Sequence, residues 1–326
     1  MPTSNDESQE RGGPTVVVAM GGHAFMQPGE PGTHDEHVTN ARNICRRLMT
    51  LVERGYNIII THGNGPQVGN LLNQTELTRD QVVPLPLDVL VGQTEGSLGY
   101  YLQQALLNEL RSRHIRRYVV TMVTQVLVER DDPAFGHPTK PVGPFLSRAE
   151  AEARRDRFGW TIKEEKTRGW RRVVPSPVPI KVIQRHMVRE AARAGHIVIA
   201  GGGGGIPIVK GASNDYVGIE AVIDKDLTSS VLATNVNADL LIVLTAVDRV
   251  YLHFGTPDQM PLGAVTMSEC KSFIDSGHFP AGSMGPKVEA IYNYLKRGGK
   301  RGLITSAERL EEALDGEAGT HFVGRI

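Results

Sequence analysis

Three lysines in this chain stand in company that a solvated surface lysine does not need. Lys140 lies in Pro138-Thr-Lys-Pro141. Lys225 lies in Ala221-Val-Ile-Asp-Lys-Asp226, downstream of five consecutive glycines, residues 201–205. Lys287 ends Gly282-Ser-Met-Gly-Pro-Lys287, just before a helical pattern. Asp226 sets a carboxylate beside Lys225 where another helical pattern, residues 227–236, opens. Phosphoryl transfer asks for positive charge and alignment and for little covalent chemistry. Lysines gathered around a phosphate supply that charge without a nucleophile. Other chemistries have weaker claims. No Ser-His-Asp order or Cys-His pairing suggests acyl transfer. His34-Asp-Glu-His37 has metal-binding residue types but not the H-E-x-x-H spacing, so no metal site is expected there. Asp35 and Glu36 read instead as the cap and first turn of the following helix.

An anion cradle is written nearby. Three strand-like runs end in glycine loops: Gly21-Gly-His-Ala24, His62-Gly-Asn-Gly-Pro66 and Gly201-Gly-Gly-Gly-Gly-Ile-Pro207. Glycine gives up the most backbone freedom on folding, so five in a row make sense where backbone must approach a ligand or turn with positive φ. Backbone N–H groups beyond a strand end favour anions. Neither common nucleotide fingerprint is present: G-x-x-x-x-G-K-[ST] is absent, and in Gly63-Asn-Gly65 the third glycine of G-x-G-x-x-G is replaced by Val68.

The elements that must hold these loops alternate. Val16 to Met20, Asn57 to Thr61, Tyr118 to Val128, His196 to Ala200, Asp239 to Thr245 and Arg301 to Thr305 read as strands. Val38, Ala41, Ile44, Cys45, Leu48, Leu51 and Val52 recur at helical spacing, and residues 90–110 form a long helical stretch in which Tyr100 and Tyr101 read as core or subunit-packing residues. Strand and helix in alternation imply an α/β fold with a mainly parallel sheet covered on both faces, and ligands beyond the carboxyl ends of its strands. Residues 131–180 break the rhythm. They hold seven of the 19 prolines, both tryptophans and a dense mixed-charge run. A linker seldom carries two tryptophans, so an inserted lid subdomain is expected there.

The chain has 326 residues, 40% of them hydrophobic, which is enough for a large core. Its formal net charge is zero and no basic face stands out, so nucleic acid and anionic membrane are poor partners. Residues 1–14 are polar and read as a disordered tail, not a signal peptide. The longest apolar run, residues 240–247, is too short to span a bilayer. Two isolated cysteines fit a reducing cytoplasm.

Several long motifs occur together and in order: Thr61-His-Gly-Asn-Gly-Pro-Gln-Val-Gly-Asn-Leu-Leu72, Pro138-Thr-Lys-Pro-Val-Gly-Pro-Phe145, Arg168-Gly-Trp-Arg-Arg-Val-Val-Pro-Ser-Pro177, Ala221-Val-Ile-Asp-Lys-Asp226 and Gly282-Ser-Met-Gly-Pro-Lys287. In these the chain resembles carbamate kinase, of the amino acid kinase superfamily, from about Val16 to Val323. The resemblance implies an α/β/α sandwich with a protruding subdomain, a homodimer, and reversible transfer of phosphate between ATP and carbamate with magnesium carried by the nucleotide. It places Lys140, Lys225, Asp226 and Lys287 at catalytic positions. Gly21, Gly22, His23, Gly63, Asn64 and Gly65, with Gly203 and Gly204 of the glycine run, fall on substrate and phosphate loops. Ala246, Val247, Asp248 and Tyr251, with Met284, fall on the nucleotide side. Two positions depart from the pattern. His23 stands where asparagine is usual, and Glu95 where glutamine is usual, so each exchanges a neutral amide for a titratable group. They keep open a sister kinase for another small carboxylate or carbamate. A non-catalytic regulator fits less well, since binding alone does not need the lysines and Asp226.

Overall fold

The computed structural model describes residues 12–27, 29–165, 168–280 and 282–324. Of the tail expected at residues 1–14, the first eleven lie outside the described residues, and so does the side chain of His23. The centre is an eight-stranded sheet. From edge to edge its strands are Ala264–Thr266, Thr320–Val323, Arg301–Thr305, Leu240–Leu244, Thr15–Met20, Asn57–His62, Ile197–Ile199 and Val119–Thr121. The six strands from Arg301–Thr305 to Val119–Thr121 run parallel, and Thr320–Val323 turns back antiparallel beside them. Every residue of Thr15–Met20 and Asn57–His62 is buried, as expected of central strands covered on both faces by helices. Two hydrophobic clusters lie on opposite sides of the sheet: Val17, Ala19 and Ile59 point into one, Val16, Val18 and Ile60 into the other. This is the three-layer sandwich that strand and helix alternation predicts.

Strand order reverses at the middle. From Thr15–Met20 the chain moves through helix His34–Glu53 to the strand on one side, and from Leu240–Leu244 the later strands add on the other. The carboxyl ends of these two neighbouring strands therefore bound the crevice where open α/β sheets take ligands.

The structure adds local detail to these expectations and corrects some of them. The run from Tyr118 to Val128 is not one strand. Val119–Thr121 stays in the central sheet, while Gln125–Leu127 joins a second sheet with Ile206–Lys210 and Lys181–Val182. The break falls where Thr124 is held by groups from elsewhere in the chain. The first long helix is capped by Thr33, whose side chain and Glu36 form a reciprocal capping box; Asp35 and Glu36 lie in the first turn. The helix after the glycine run begins at Lys225 and runs to Asn235, with Asp224 as its cap. Tyr100 is exposed, whereas Tyr101 stacks on His37 and bonds His34 Nδ1.

Residues 140–174 build a separate unit: antiparallel strands Lys140–Leu146, Thr161–Glu165 and Gly169–Val174, with helix Arg148–Phe158 between the first two. It rests on helix Gly65–Leu77. A Cβ on Gly69 would lie 1.9 Å from the backbone nitrogen of Gly143, so only glycine permits this approach. The buried Trp160 donates its indole N–H to Glu76, at 3.0 and 2.8 Å from the two carboxylate oxygens. Arg172 pairs with the same carboxylate, and Arg154 and Arg172 both lie over the Trp160 ring.

Candidate active site

The three glycine loops converge. A Cβ built on Gly63 would sit 3.4 Å from the backbone nitrogen of Gly22 and 3.6 Å from Lys225 Cδ. One on Gly203 would sit 2.1 Å from Asn64 Nδ2, and one on Gly204 would sit 2.3 Å from the carbonyl oxygen of Ile223. Gly201, Gly203, Gly204 and Gly205 all have positive φ, so the run coils in a way that L side chains rarely adopt. The first loop, the second loop, the glycine run and the Ala221 to Asp226 motif are thus closely packed, with backbone contacts between Gly63 and Gly22 and between Gly204 and Ile223. Asn64 is buried and donates to Thr94 Oγ1 at 2.8 Å. Gly65 opens helix Gly65–Leu77, so the second loop also presents a helix N-terminus.

The charged groups form two linked pairs at the start of helix Lys225–Asn235. Asp226 is 3% exposed and bridges two lysines: it pairs with Lys225 Nζ and lies 3.1 Å from Lys287 Nζ. Asp224 accepts the amide of Asp226 at 2.9 Å and that of Leu227 at 3.4 Å, and Lys140 Nζ lies 2.7 Å from its other oxygen. Lys140 reaches this point from the first strand of the small antiparallel unit. Burial, opposed by Asp226 and reinforced by Lys287, holds Lys225 below the usual lysine range. Burial alone would raise Asp224. Lys140, Lys225 and the amide of Asp226 outweigh it and bring that carboxyl down to about 2. Asp224 was not among the residues singled out in the sequence. Its signal was an aspartate immediately before a helical pattern, the usual place of an N-cap.

Of the residues expected on the nucleotide side, Ala246, Val247 and Asp248 follow strand Leu240–Leu244 at the carboxyl edge of the sheet, and Tyr251 donates its hydroxyl hydrogen to Asp248 at 2.9 Å. Met284 opens the helix that carries Lys287. Among the described residues no hydrogen bond joins residues 246–251 to the lysines. Their relation is one of place: they border the same crevice, where a Cβ on Gly21 would lie 3.8 Å from the Leu244 carbonyl oxygen. The His34 and His37 rings are engaged by protein groups. Among the described residues His34 bonds Tyr101 at 3.0 Å, and His37 bonds the carbonyl of Thr33 at 2.7 Å and Gln67 at 3.0 Å.

An α/β sandwich with glycine loops and lysines meeting at the reversal of strand order is the architecture of a small-molecule phosphotransferase. The sequence model of the Amino acid kinase family matches residues 14–306, and the chain belongs to that family. It is 45% identical to the carbamate kinase of Pyrococcus horikoshii over 307 residues, covering 94% of this chain and 98% of the relative. It is 44% identical to carbamate kinase 2 of Enterococcus faecalis over 306 residues, covering 93% and 97%. Among solved structures, Giardia lamblia carbamate kinase bound to AMP-PNP superposes with a TM-score of 0.90 at 36% identity, covering 97% of this chain and all of that one.

Proposed function

We propose that this protein is a carbamate kinase: it transfers a phosphoryl group reversibly between ATP and carbamate, and runs chiefly toward ATP from carbamoyl phosphate and ADP. One observation carries the proposal. Lys225, Lys287 and Lys140 are drawn by Asp226 and Asp224 to the point where three glycine loops meet. Near-full-length similarity to carbamate kinases supports the choice of substrate. In the ATP-forming direction a β-phosphate oxygen of ADP attacks the phosphorus of carbamoyl phosphate, and carbamate leaves with the electrons of the broken P–O bond. The amides of Gly21, Gly22, Asn64 and Gly65 line one side of the transferring group, while that of Gly63 is held by the Met20 carbonyl at 3.1 Å. Lys225 and Lys287 stabilise charge on its equatorial oxygens. Asp226 fixes the two ammonium groups at one spacing, so their repulsion does not spread them as phosphate arrives.

Lys140 belongs to the small antiparallel unit, which acts as a lid in this scheme. Its closure brings the third lysine to Asp224 and excludes water. Residues 246–251 and Met284 hold the nucleotide. Magnesium fits as a passenger on the nucleotide phosphates, because the nearest carboxylates, Asp224 and Asp226, are already engaged by lysines. It would supply charge neutralisation between β- and γ-phosphates. A homodimer in the cytoplasm completes the proposal; among the described residues no helix is long and apolar enough to cross a membrane. The test is to incubate the protein with ADP, magnesium and carbamoyl phosphate and to measure ATP. ATP well above the non-enzymatic rate is expected. Faster formation from acetyl phosphate would assign the protein to a different acyl phosphate, and no turnover with nucleotide binding intact would make it a regulator.

A further inference from the structure

Behind the glycine run lies a pair of buried titratable groups that the mechanism above does not use. Glu95 sits inside helix Leu87–Ser112 and is 1% exposed. Its Oε2 accepts the amide of Thr124 at 2.8 Å, while Oε1 has no partner of good geometry among the described residues. His62 ends strand Asn57–His62 and is fully buried. Its Nδ1 lies 3.0 Å from the carbonyl oxygen of Gly63, which fixes the proton on Nδ1 and leaves Nε2 as an acceptor, also unpartnered. Both side chains press on one backbone position: a Cβ on Gly202 would lie 2.5 Å from His62 Nε2 and 3.2 Å from Glu95 Cγ. An acid lacking an acceptor thus stands across Gly202 from an imidazole nitrogen lacking a donor.

The same carboxyl supports the loop through Thr124. Thr124 Oγ1 accepts the amide of Gly201 at 2.9 Å and donates to the carbonyl of Met122 at 2.7 Å, and the Thr124 carbonyl accepts the amide of Ile206 at 2.8 Å. Thr124 therefore grips both ends of the glycine run, and Glu95 grips Thr124.

We infer that Glu95 is a positioning residue that works as an uncharged carboxylic acid, holding the glycine run from behind through Thr124, beside the uncharged His62, while keeping negative charge away from the phosphate in front. This inference rests on the phosphoryl-transfer reading of the site. The surroundings fit a neutral acid. Burial raises the Glu95 carboxyl well above the usual carboxylate range, against the lowering effect of the Thr124 and Gly202 amides. Burial likewise lowers His62 to about 4, with Lys225 adding to the effect, so the imidazole is uncharged at neutral pH. The groups facing Glu95 are few. Strand Asn57–His62 contributes His62, the glycine run and Thr124 contribute backbone and a hydroxyl, and Glu95's own helix contributes Thr94. Lys225, on helix Lys225–Asn235, acts on His62. None of these supplies a cation directly to the Glu95 carboxylate. An ionised Glu95 would oppose an incoming phosphate, as like charges do.

The experiment compares wild type with Glu95→Gln, which keeps an uncharged group of the same shape. Turnover of carbamoyl phosphate and ADP is measured across pH, and so is thermal stability without substrate. Wild-type turnover is expected to fall about tenfold per pH unit once Glu95 ionises, whereas Glu95→Gln loses this alkaline limb. The raised carboxyl also sets the sign for stability. Wild type binds a proton in the fold that the unfolded chain releases above about 4.5, so the stability advantage of Glu95→Gln should widen as pH rises. Glu95→Ala, which removes the grip on Thr124, should raise KM for carbamoyl phosphate at every pH. Matching pH profiles in wild type and Glu95→Gln, or a stability difference that is flat with pH, overturns the inference. Absence of all turnover in wild type would instead refute the function proposed above, and the substrate-free stability comparison would still decide the state of Glu95.

Discussion

Asp224 carries two separable loads, and substitution can divide them. Asn keeps the N-cap of helix Lys225–Asn235, since asparagine caps as well as aspartate, but removes the charge that faces Lys140. Ala removes both. The charged interaction can be sized from the lowered carboxyl: it falls from 3.8 to about 2, which corresponds to roughly 2 kcal/mol of stability at neutral pH. The side chain is 18% exposed, so solvent screens this only in part. Because the folded-state value is lowered, the contribution is present above about pH 4 and is lost as pH falls through about 2. The cap is worth a further ~1 kcal/mol. Urea unfolding at pH 7 should therefore show Asp224→Asn less stable than wild type by roughly 2 kcal/mol and Asp224→Ala by roughly 3. Turnover should fall in both, because Lys140 loses the partner that brings it 2.7 Å from the helix cap. Equal stability of the Asn and Ala variants would refute the capping role. Asn variants with wild-type stability and wild-type turnover would refute the Lys140 pairing.

Other consequences follow from residues outside the lysine cluster. Glu76→Gln should loosen the small antiparallel unit by weakening its hold on Trp160 and Arg172; KM for carbamoyl phosphate should rise more than kcat falls, and Trp fluorescence should report greater exposure. Gly69→Ala should be far worse than an exposed-helix Gly→Ala change, since its methyl would meet the backbone of Gly143, and a stable, fully active variant would contradict that docking. His62, lowered from 6.5 to about 4 by burial, favours proton uptake by the unfolded chain, so stability should drop by about 3 kcal/mol as pH falls from 6.5 to 4. Thermal melts of wild type and His62→Gln across that range would check it, the variant showing the shallower fall.

The strands of the central sheet were legible because a strand buried on both faces must be a continuous apolar run. The convergence of glycine loops was legible because each follows such a run, and parallel strands end on the same edge. What escaped the sequence depends on distant partners. The break between Val119–Thr121 and Gln125–Leu127 is set by Glu95, 29 residues away, which takes the Thr124 amide out of the ladder. Asp224 looked like punctuation before a helix because its partner Lys140 lies 84 residues earlier. The Thr33 capping box was readable, but Asp35 and Glu36 gave a competing local signal. The mixed charge and tryptophans of residues 131–180 marked an inserted unit in sequence but not its packing; in the fold Arg154 and Arg172 enclose Trp160, and Glu76 comes from a helix outside the segment.

The central claim is that Lys225 and Lys287, spaced by Asp226, stabilise the moving phosphoryl group. Its most direct test is the single-turnover rate of ATP formation from carbamoyl phosphate and bound ADP, by rapid quench, in wild type, Lys225→Ala and Lys287→Ala. Losing one such charge costs on the order of 3 kcal/mol in the transition state, so each variant should be slower by two orders of magnitude or more while still binding ADP. A single-turnover rate equal to wild type in either variant would contradict the claim for that lysine.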